Sequence, residues 1–196
     1  MRLPDAILRR VPGDAIANAF HARGVERFCD ACALVHALPY GRNRDRADYR
    51  LVLDEGRGTC STKHALLAAL AHEQELPVDL RVGLFMMDDA NTPGVGPALE
   101  AHGLAAIPEA HCYLFYDGAR VDLTHPGTSG ALQVEILVEE PIMPEGIGAQ
   151  KLALHRGFLE RWSRERGVDF RAVWQAREAC IAALSAAPSL GGMPRA

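Results

Sequence analysis

The chain has 196 residues, of which 48% are hydrophobic and 23% charged, and its formal net charge is −4. This composition is that of an ordinary globular protein, and it excludes a disordered chain, a collagen-like repeat and a disulfide-stapled miniprotein. A mildly acidic chain lacks the basic charge of nucleic-acid-binding proteins, so we expect no nucleic-acid partner.

The sequence predicts a cytoplasmic protein without membrane contact. No stretch approaches the roughly 18 apolar residues of a membrane span, and the charged first ten residues are not typical of a signal peptide. The five cysteines have no regular disulfide spacing, which indicates a reducing compartment. We expect one domain over residues 1–187 and a flexible tail over 188–196.

The first part of the chain has helical periodicity. Asp14 is placed to cap a helix that ends near residue 22, and an apolar stripe predicts a second helix over 25–35, before Pro39. Cys29 and Cys32 belong to this second helix, so a core position is a better interpretation of this CxxC pair than a metal or redox site. The polar segment 42–54 predicts a loop on the surface or beside a polar site.

A helix is predicted over 61–75 and a strand over 80–87. The following segment, 88–109, contains prolines, glycines and four acids but no Lys or Arg, which is typical of a long loop, with a brief helix near 98–102. Because it leads directly to His111, we expect it to form a flap beside the site, whose acids disfavour anionic groups. A packed surface loop without substrate contact is the alternative.

The dipeptide Asp117–Gly118 predicts a two-residue hairpin turn between strands over 111–116 and 120–124. A third strand of this meander is expected over 132–138. Two helices follow, over 150–166 and 170–187. Helices come first, strands lie in the middle and helices end the chain, an order that favours an α+β fold.

Cys60 has the setting of a cysteine nucleophile. It follows Gly58 and Thr59 at the first turn of a predicted helix, where unpaired N–H groups and about half a positive charge stabilise a thiolate. Its backbone N–H would be free to bind an oxyanion, and we expect the preceding glycines to let a substrate carbonyl approach closely. A buried structural cysteine is the alternative interpretation.

The hairpin supplies a general base and its partner. A two-residue turn makes His111 and Asp122 diagonal neighbours on one face of the hairpin, about 7 Å apart, within reach of a hydrogen bond that would orient the imidazole. A three-residue turn would place them on opposite faces. Without a nucleophile nearby, the pair would be read as a surface histidine and a strand-end aspartate.

This order of Cys, His and Asp resembles that of the transglutaminase-like enzymes. The resemblance covers about residues 51–124 and is densest in the segments GTCSTKHALL (58–67), AHCYL (110–114) and RVDLT (120–124). It implies a small bacterial member with a papain-like α+β core, in which the nucleophile-bearing helix packs on an antiparallel sheet between N- and C-terminal helices. It also implies that Cys60 is the nucleophile, His111 the general base and acid, and Asp122 the orienting carboxylate.

The chain departs from the animal cross-linking enzymes of this superfamily. Ser61 stands where those enzymes carry a tryptophan after the nucleophile, and no calcium-loop pattern is present. Hydrolysis or acyl transfer on smaller substrates is therefore favoured over protein cross-linking.

Six residues near Cys60 are candidates for substrate binding: Arg42, Asn43, Arg57, Thr59, Lys63 and His64. Asn43 or the Thr59 hydroxyl would complete the oxyanion hole, and Tyr40 is a further candidate for this role. Lys63 with Arg42 or Arg57 would hold a substrate carboxylate, unless Lys63 is only a solvated helix residue. His64 shares the helical face of Cys60 and is a weaker candidate for the base.

The sequence thus predicts a cysteine-dependent acyl-transfer enzyme that attacks an amide, ester or thioester of a small molecule or peptide through a thioester intermediate. Water as the acceptor gives a hydrolase, and an amine gives a biosynthetic acyltransferase. The alternative from another class is a binding or scaffold protein of the same fold. The chain has no HExxH motif and no second CxxC, so we expect neither metal nor cofactor.

Overall fold

The computed structural model describes residues 3–132 and 134–186, and the tail predicted over 188–196 lies outside the described residues. An antiparallel sheet of four strands forms its centre, in the order β3-β2-β1-β4. The strands are β1 (Asp79–Met87), β2 (Ile107–Tyr116), β3 (Ala119–Val121) and β4 (Val138–Pro141). β1 pairs with β2 over its whole length.

Helices precede and follow the strands. In chain order they are α1 (Ala15–His21), α2 (Phe28–Ala37), α3 (Leu51–Glu55), α4 (Cys60–Glu73), α5 (Gly96–Glu100), a 3-10 turn at Pro144–Ile147, α6 (Ala149–Arg166) and α7 (Phe170–Ala186). The fold is therefore α+β, as the order of the predicted elements indicates. No helix in the described part of the chain is long and apolar enough to cross a membrane.

The central helix is α4, because small and apolar residues occupy every side of its middle. All residues from Cys60 to Ala71 are buried, and the helix packs against α1, α2, α3 and the sheet. A capping box begins it: the Thr59 side chain accepts from the N–H of Thr62, and the Thr62 hydroxyl accepts from the N–H of Thr59 at 3.0 Å. The capping box fixes the first turn, which carries the nucleophile candidate.

The two faces of the sheet bury different clusters, because side chains alternate along a strand. On β1, Val82 and Leu84 belong with α4 to the larger cluster. Phe85 and Met87 belong instead to a second cluster, together with residues of α5, α6 and α7. The sheet is thus covered on both faces, and the C-terminal helices form the second layer.

The expected third strand is wrong in both place and partner. The meander predicts a strand over 132–138 beside β3, whereas β4 begins at Val138 and pairs with β1 at the opposite edge of the sheet. Glu139 of β4 forms ion pairs with Arg81 of β1 and Arg120 of β3. β1 has backbone N–H and C=O groups that are left unpaired on the side away from β2. A strand that followed β3 directly would not reach them, and β4 pairs with them instead.

The polar segment 42–54, predicted as a loop, contains most of the short helix α3. Leu51 and Val52 are buried at its start, and Gly56 ends it in the left-handed conformation, with a φ of 62°. A helix of five residues is too short to give a periodic pattern in the sequence. Its formation depends instead on its contact with α4.

The segment predicted as a flap over 88–109 is in part packed structure. Val95 and Leu99 are buried in the second cluster, and α5 packs against α7. The last three residues of the segment belong to β2. Only residues 91–93 and Glu109 of this segment line the cleft described below. The segment is therefore one wall of the fold, with a narrow rim at the cleft.

Candidate active site

Cys60 is the first residue of α4 and lines a cleft of about 1950 Å³. The cleft is lined by the segment after α2, the start of α4, β1 and β2, the loop after β3, and helices α6 and α7. The side chain is 8% exposed, so water is largely excluded from the sulfur. The backbone N–H groups of Cys60 and Ser61 in this first turn have no acceptor within the helix and are free to bind an anion, whereas the N–H of Thr62 is capped by Thr59.

His111 and Asp122 come together as the hairpin register predicts. Tyr116 pairs with Ala119 across a two-residue turn, and His111 Nε2 lies 2.9 Å from Asp122 Oδ2. Because Asp122 occupies Nε2, Nδ1 is the ring nitrogen of His111 left for Cys60, and the charges of the two groups interact. The three residues thus lie in one cleft, with the imidazole held by the carboxylate.

The charges of this chain favour a thiolate beside an imidazolium. Burial opposes ionisation of Cys60, but the charges of Lys151 and His111 outweigh it and lower the pKa of the thiol to about 6. Burial also opposes protonation of His111, but the neighbouring Asp122 and Cys60 charges raise the pKa of its ring well above the ordinary value. At neutral pH the proton therefore resides on His111.

Asp122 is held on both of its oxygens. Oδ2 accepts from His111, and Oδ1 accepts from the N–H of Thr124 at 3.0 Å and from its hydroxyl at 2.5 Å. Burial would raise the pKa of this carboxyl, but the His111 charge and these hydrogen bonds hold it well below its usual range. The carboxylate is therefore ionised and fixed in orientation.

His64, a candidate for substrate binding, is a framework residue. Its ring is completely buried, the N–H of Leu123 donates to Nε2 at 2.7 Å, and Nδ1 lies 2.8 Å from the carbonyl oxygen of Cys60. Since Nε2 accepts, Nδ1 must carry the proton and donate. Burial lowers the pKa of His64 to about 4, so the ring is neutral and joins α4 to the residue after Asp122.

Lys63 is also corrected from a substrate-binding candidate to a framework residue. Its side chain is fully buried and its ammonium donates to the carbonyl oxygens of Leu38 at 2.5 Å and Thr124 at 2.7 Å. It is not among the residues that line the cleft. Lys63, three positions after Cys60 on α4, therefore links the end of α2 to the loop after β3.

Asn43 and Thr59 line the cleft, but both are engaged in building the start of α4. Asn43 donates to Glu55 at 3.1 Å and to the carbonyl of Arg57 at 3.0 Å, and its Oδ1 accepts from the Thr62 hydroxyl at 2.9 Å. The Thr59 side chain caps the helix. Neither group is directed at a substrate as a free donor.

The two arginine candidates have different places. Arg42 lines the cleft and forms an ion pair with Glu178 of α7 at 2.9 Å. Arg57 does not line it and lies 3.5 Å from Glu55. Arg42 therefore remains a candidate for contact with substrate, whereas the predicted role of Arg57 lacks structural support.

The glycine before the nucleophile serves packing. A Cβ at Gly58 would lie 2.9 Å from Lys63 Cγ and 3.0 Å from Thr62 Oγ1. The sequence predicts that this glycine lets a substrate carbonyl approach closely. In the structure, the missing side chain instead lets the turn approach α4 closely.

Lys151 of α6 is the functional-site residue that the sequence analysis missed. Its ammonium lies 3.9 Å from Cys60 Sγ and 2.7 Å from Ser61 Oγ. A signal was present in the composition, because only two of the 21 basic residues are lysines, and both lie within this region of the fold. Chain separation hid it, since no local motif joins residue 151 to residue 60.

A buried network of charges lies beside the triad. Arg177 of α7 donates to both oxygens of Glu109 at 2.9 and 2.8 Å and forms an ion pair with Glu178 at 2.6 Å. Burial would raise the pKa of Glu109, but Arg177 lowers it to about 2. Glu109 is thus ionised and neutralised by α7, so it does not act as one of the acids of an anion-repelling flap.

No group of three or more His, Cys, Asp or Glu side chains in the described ranges is arranged to hold a metal ion. No protein-family model, curated protein or solved structure matches the chain. The chemistry open to the cleft follows from its side chains: a thiolate, an imidazolium fixed by a carboxylate, and a nearby ammonium.

Proposed function

We propose that this chain is a cysteine-dependent acyl-transfer enzyme of the transglutaminase-like superfamily, acting on an amide, ester or thioester. The observation that carries the proposal is the His111–Asp122 pair, with Nε2 2.9 Å from Oδ2, in the cleft that Cys60 also lines. A low-pKa cysteine, a base and an orienting carboxylate are the parts that covalent acyl transfer needs.

In the first step the Cys60 sulfur attacks the substrate carbonyl carbon. A C–S bond forms, the carbonyl π pair moves to oxygen, and the oxyanion meets the free N–H groups at the start of α4. When the tetrahedral intermediate collapses, the bond to the leaving group breaks and His111 gives that group its proton. The product of this half-reaction is a thioester on Cys60.

In the second step an acceptor, water or an amine, attacks the thioester while His111 takes its proton. The C–S bond then breaks and the thiolate is restored. Asp122 keeps the ring in the orientation that both proton transfers require.

The arrangement of elements also supports a papain-like core. The nucleophile lies at the start of a central helix, the base lies on β2, which packs on this helix, and the carboxylate follows the adjacent antiparallel strand β3. The cleft around Cys60 has an apolar wall that includes Phe85, Leu152 and Trp174. Such a wall suits an acyl group with an apolar side chain.

The proposal is tested with p-nitrophenyl acetate as an activated acyl donor. We expect a burst of p-nitrophenol and one acetyl group on Cys60, detected by peptide mass spectrometry and released by hydroxylamine. Cys60→Ala removes the burst. Cys29→Ala, which deletes a thiol of raised pKa, is the matched control and keeps the burst.

Acetyl transfer at the same rate to Cys60 and to Cys29, or no adduct on Cys60 at all, would contradict catalysis and favour a binding or scaffold protein. Release of the acetyl group in buffer alone indicates a hydrolase. Release that depends on an added primary amine indicates an acyltransferase.

A further inference from the structure

Lys151 is a buried ammonium without a carboxylate partner. Its side chain is almost fully enclosed, and none of the ion pairs among the described residues includes it. It donates to Ser61 Oγ at 2.7 Å and approaches Cys60 Sγ at 3.9 Å. A buried cation needs a compensating negative charge, and the nearest group that can supply one is the Cys60 thiol.

Ser61 fixes the ammonium in this place. An ammonium can only donate, so the Ser61 oxygen accepts from Lys151 and keeps its own proton for another acceptor. The Cys60 sulfur lies 3.8 Å from that oxygen. Ser61 is therefore a positioning residue that holds the charge of Lys151 beside the sulfur.

We propose that Lys151 is a catalytic residue of the acyl-transfer reaction, the permanent counter-charge of the Cys60 thiolate and of the oxyanion that replaces it. This inference rests on the proposed function, and it adds a fourth group to the site. The lysine would take the place of a second uncharged donor in the oxyanion hole.

The charge balance of the reaction explains what the ammonium does. When the C–S bond forms, the negative charge leaves sulfur and appears on the carbonyl oxygen, two bonds away. An ammonium 3.9 Å from the sulfur stays close to the charge throughout, whereas His111 loses its proton to the leaving group and becomes neutral. Burial would lower the pKa of Lys151, but Cys60, Cys112 and Glu109 outweigh it and raise that pKa, so Lys151 keeps all three protons.

Other titratable groups lie around the site and must remain unchanged in any test. They come from β2, α4, α7, the segment after α2 and the end of the hairpin: Tyr40, Lys63, His64, Glu109, His111, Cys112, Asp122 and Arg177. A change confined to Lys151 leaves all of them in place.

The first experiment uses the unaltered sequence. Because the chain has only two lysines, isotope-labelled lysine gives two side-chain NMR signals, with Lys63 as the internal reference. We expect alkylation of Cys60 by iodoacetamide, which removes the thiolate charge, to lower the pKa of Lys151 by about one unit or more. Lys63, whose ammonium is bound by two carbonyl oxygens, should change less.

The second experiment compares Lys151→Gln with Lys151→Arg. Gln keeps a donor for Ser61 but has no charge, and Arg keeps the charge. We expect the midpoint pH of Cys60 alkylation to rise by about one unit or more in the Gln variant and to stay near the original in the Arg variant. The rate with anionic iodoacetate should fall relative to neutral iodoacetamide only in the Gln variant.

These measurements do not need turnover, so they separate the two proposals. A Cys60 midpoint unchanged by Lys151→Gln, with a native circular dichroism spectrum, would overturn the role of Lys151. A Lys151 pKa that did not change on alkylation of the native protein would overturn this role as well. That measurement uses no variant, so it decides the question even if the variants do not fold. Both shifts without any acetyl adduct would refute the acyl-transfer function and its oxyanion role while confirming the thiolate–ammonium pair.

Discussion

At the scale of single residues, Asp122 shows how a carboxylate can orient a base. One oxygen accepts from His111, and the other accepts from the backbone and hydroxyl of Thr124. Because both oxygens are acceptors, the side chain cannot turn without losing a bond. The imidazole therefore has one available orientation before any substrate arrives.

We expect Asp122→Asn to lower the rate of acetyl transfer to Cys60 by about 100-fold or more. The NH₂ group of the new amide would face another hydrogen-bond donor, either His111 or Thr124. The pKa of His111 would also fall, because the carboxylate charge is gone. The melting temperature should change by only a few degrees. Asp117→Asn, in the hairpin turn, is the control and should keep the rate; equal rates in both variants would exclude an orienting role.

Lys63 illustrates a charged residue whose partners are backbone carbonyls. Lys63→Met should destabilise the fold by about 1–3 kcal/mol, because the carbonyls of Leu38 and Thr124 would lose their donor. Denaturant unfolding at pH 7 measures this loss. The exposed Arg57→Met is the comparison and should change the unfolding free energy by less than about 0.5 kcal/mol. A specific rise in KM with unchanged stability would restore the carboxylate-binding hypothesis.

At the scale of elements, the start of α4 is the most heavily supported point of the fold. The capping box, the Asn43 amide and the turn at Gly58 all converge on Thr62. Thr62 is buried, so none of these bonds competes with water. This support fixes the first turn of the helix and, with it, the sulfur of Cys60.

Thr62→Val keeps the shape of the side chain but removes its hydroxyl. We expect a loss of about 1–2 kcal/mol in unfolding free energy, since the capping box opens and Asn43 Oδ1 loses its donor. We also expect slower alkylation of Cys60 at pH 6. Thr59→Ser, which retains a capping hydroxyl, should preserve both properties, and a Thr62→Val protein as stable as the parent would contradict this account.

Patterns within short segments of the sequence predicted the hairpin turn and the C-terminal helices, because neighbouring residues determine these elements. The Asp117–Gly118 turn sets the register that joins His111 to Asp122, and the helices after residue 148 agree with their predicted bounds within one residue in the described chain. Tertiary partners determined the rest. The buried place of Lys63, the partner of β4 and the approach of Lys151 to Cys60 depend on packing between distant segments, which spacing in one sequence does not encode.

At the scale of the whole molecule, a buried ion pair joins the last helix to the central sheet. Arg177 holds Glu109 through two hydrogen bonds, and the same arginine reaches Glu178, which in turn binds Arg42. The network thus connects α7, β2 and the segment after α2 around the cleft.

We expect Glu109→Gln to destabilise the protein by about 3 kcal/mol at pH 7, because Arg177 loses its main partner in a buried site. The folded-state pKa of Glu109, about 2, lies below its ordinary value of 4.5. Its contribution is therefore complete above pH 4.5 and is lost as the pH falls towards 2. The stability difference between parent and variant, measured by urea unfolding, should shrink over this interval.

Glu100→Gln removes an exposed carboxylate of α5 that has no ion pair among the described residues, and it serves as the control. It should leave the unfolding free energy unchanged at pH 7. A Glu109→Gln difference that stayed constant from pH 5 to pH 2 would contradict the assignment of an ionised, buried Glu109.

The groups around Cys60 come from widely separated parts of the chain. Their order along the sequence has a consequence for biosynthesis. The ribosome makes the nucleophile at position 60 and the hairpin with His111 and Asp122 well before it makes Lys151 and Arg177. Until α6 docks, the sulfur lacks its ammonium neighbour and one wall of the cleft. The Cys60 thiol therefore has its full set of neighbouring charges only after α6 has been synthesised and has docked.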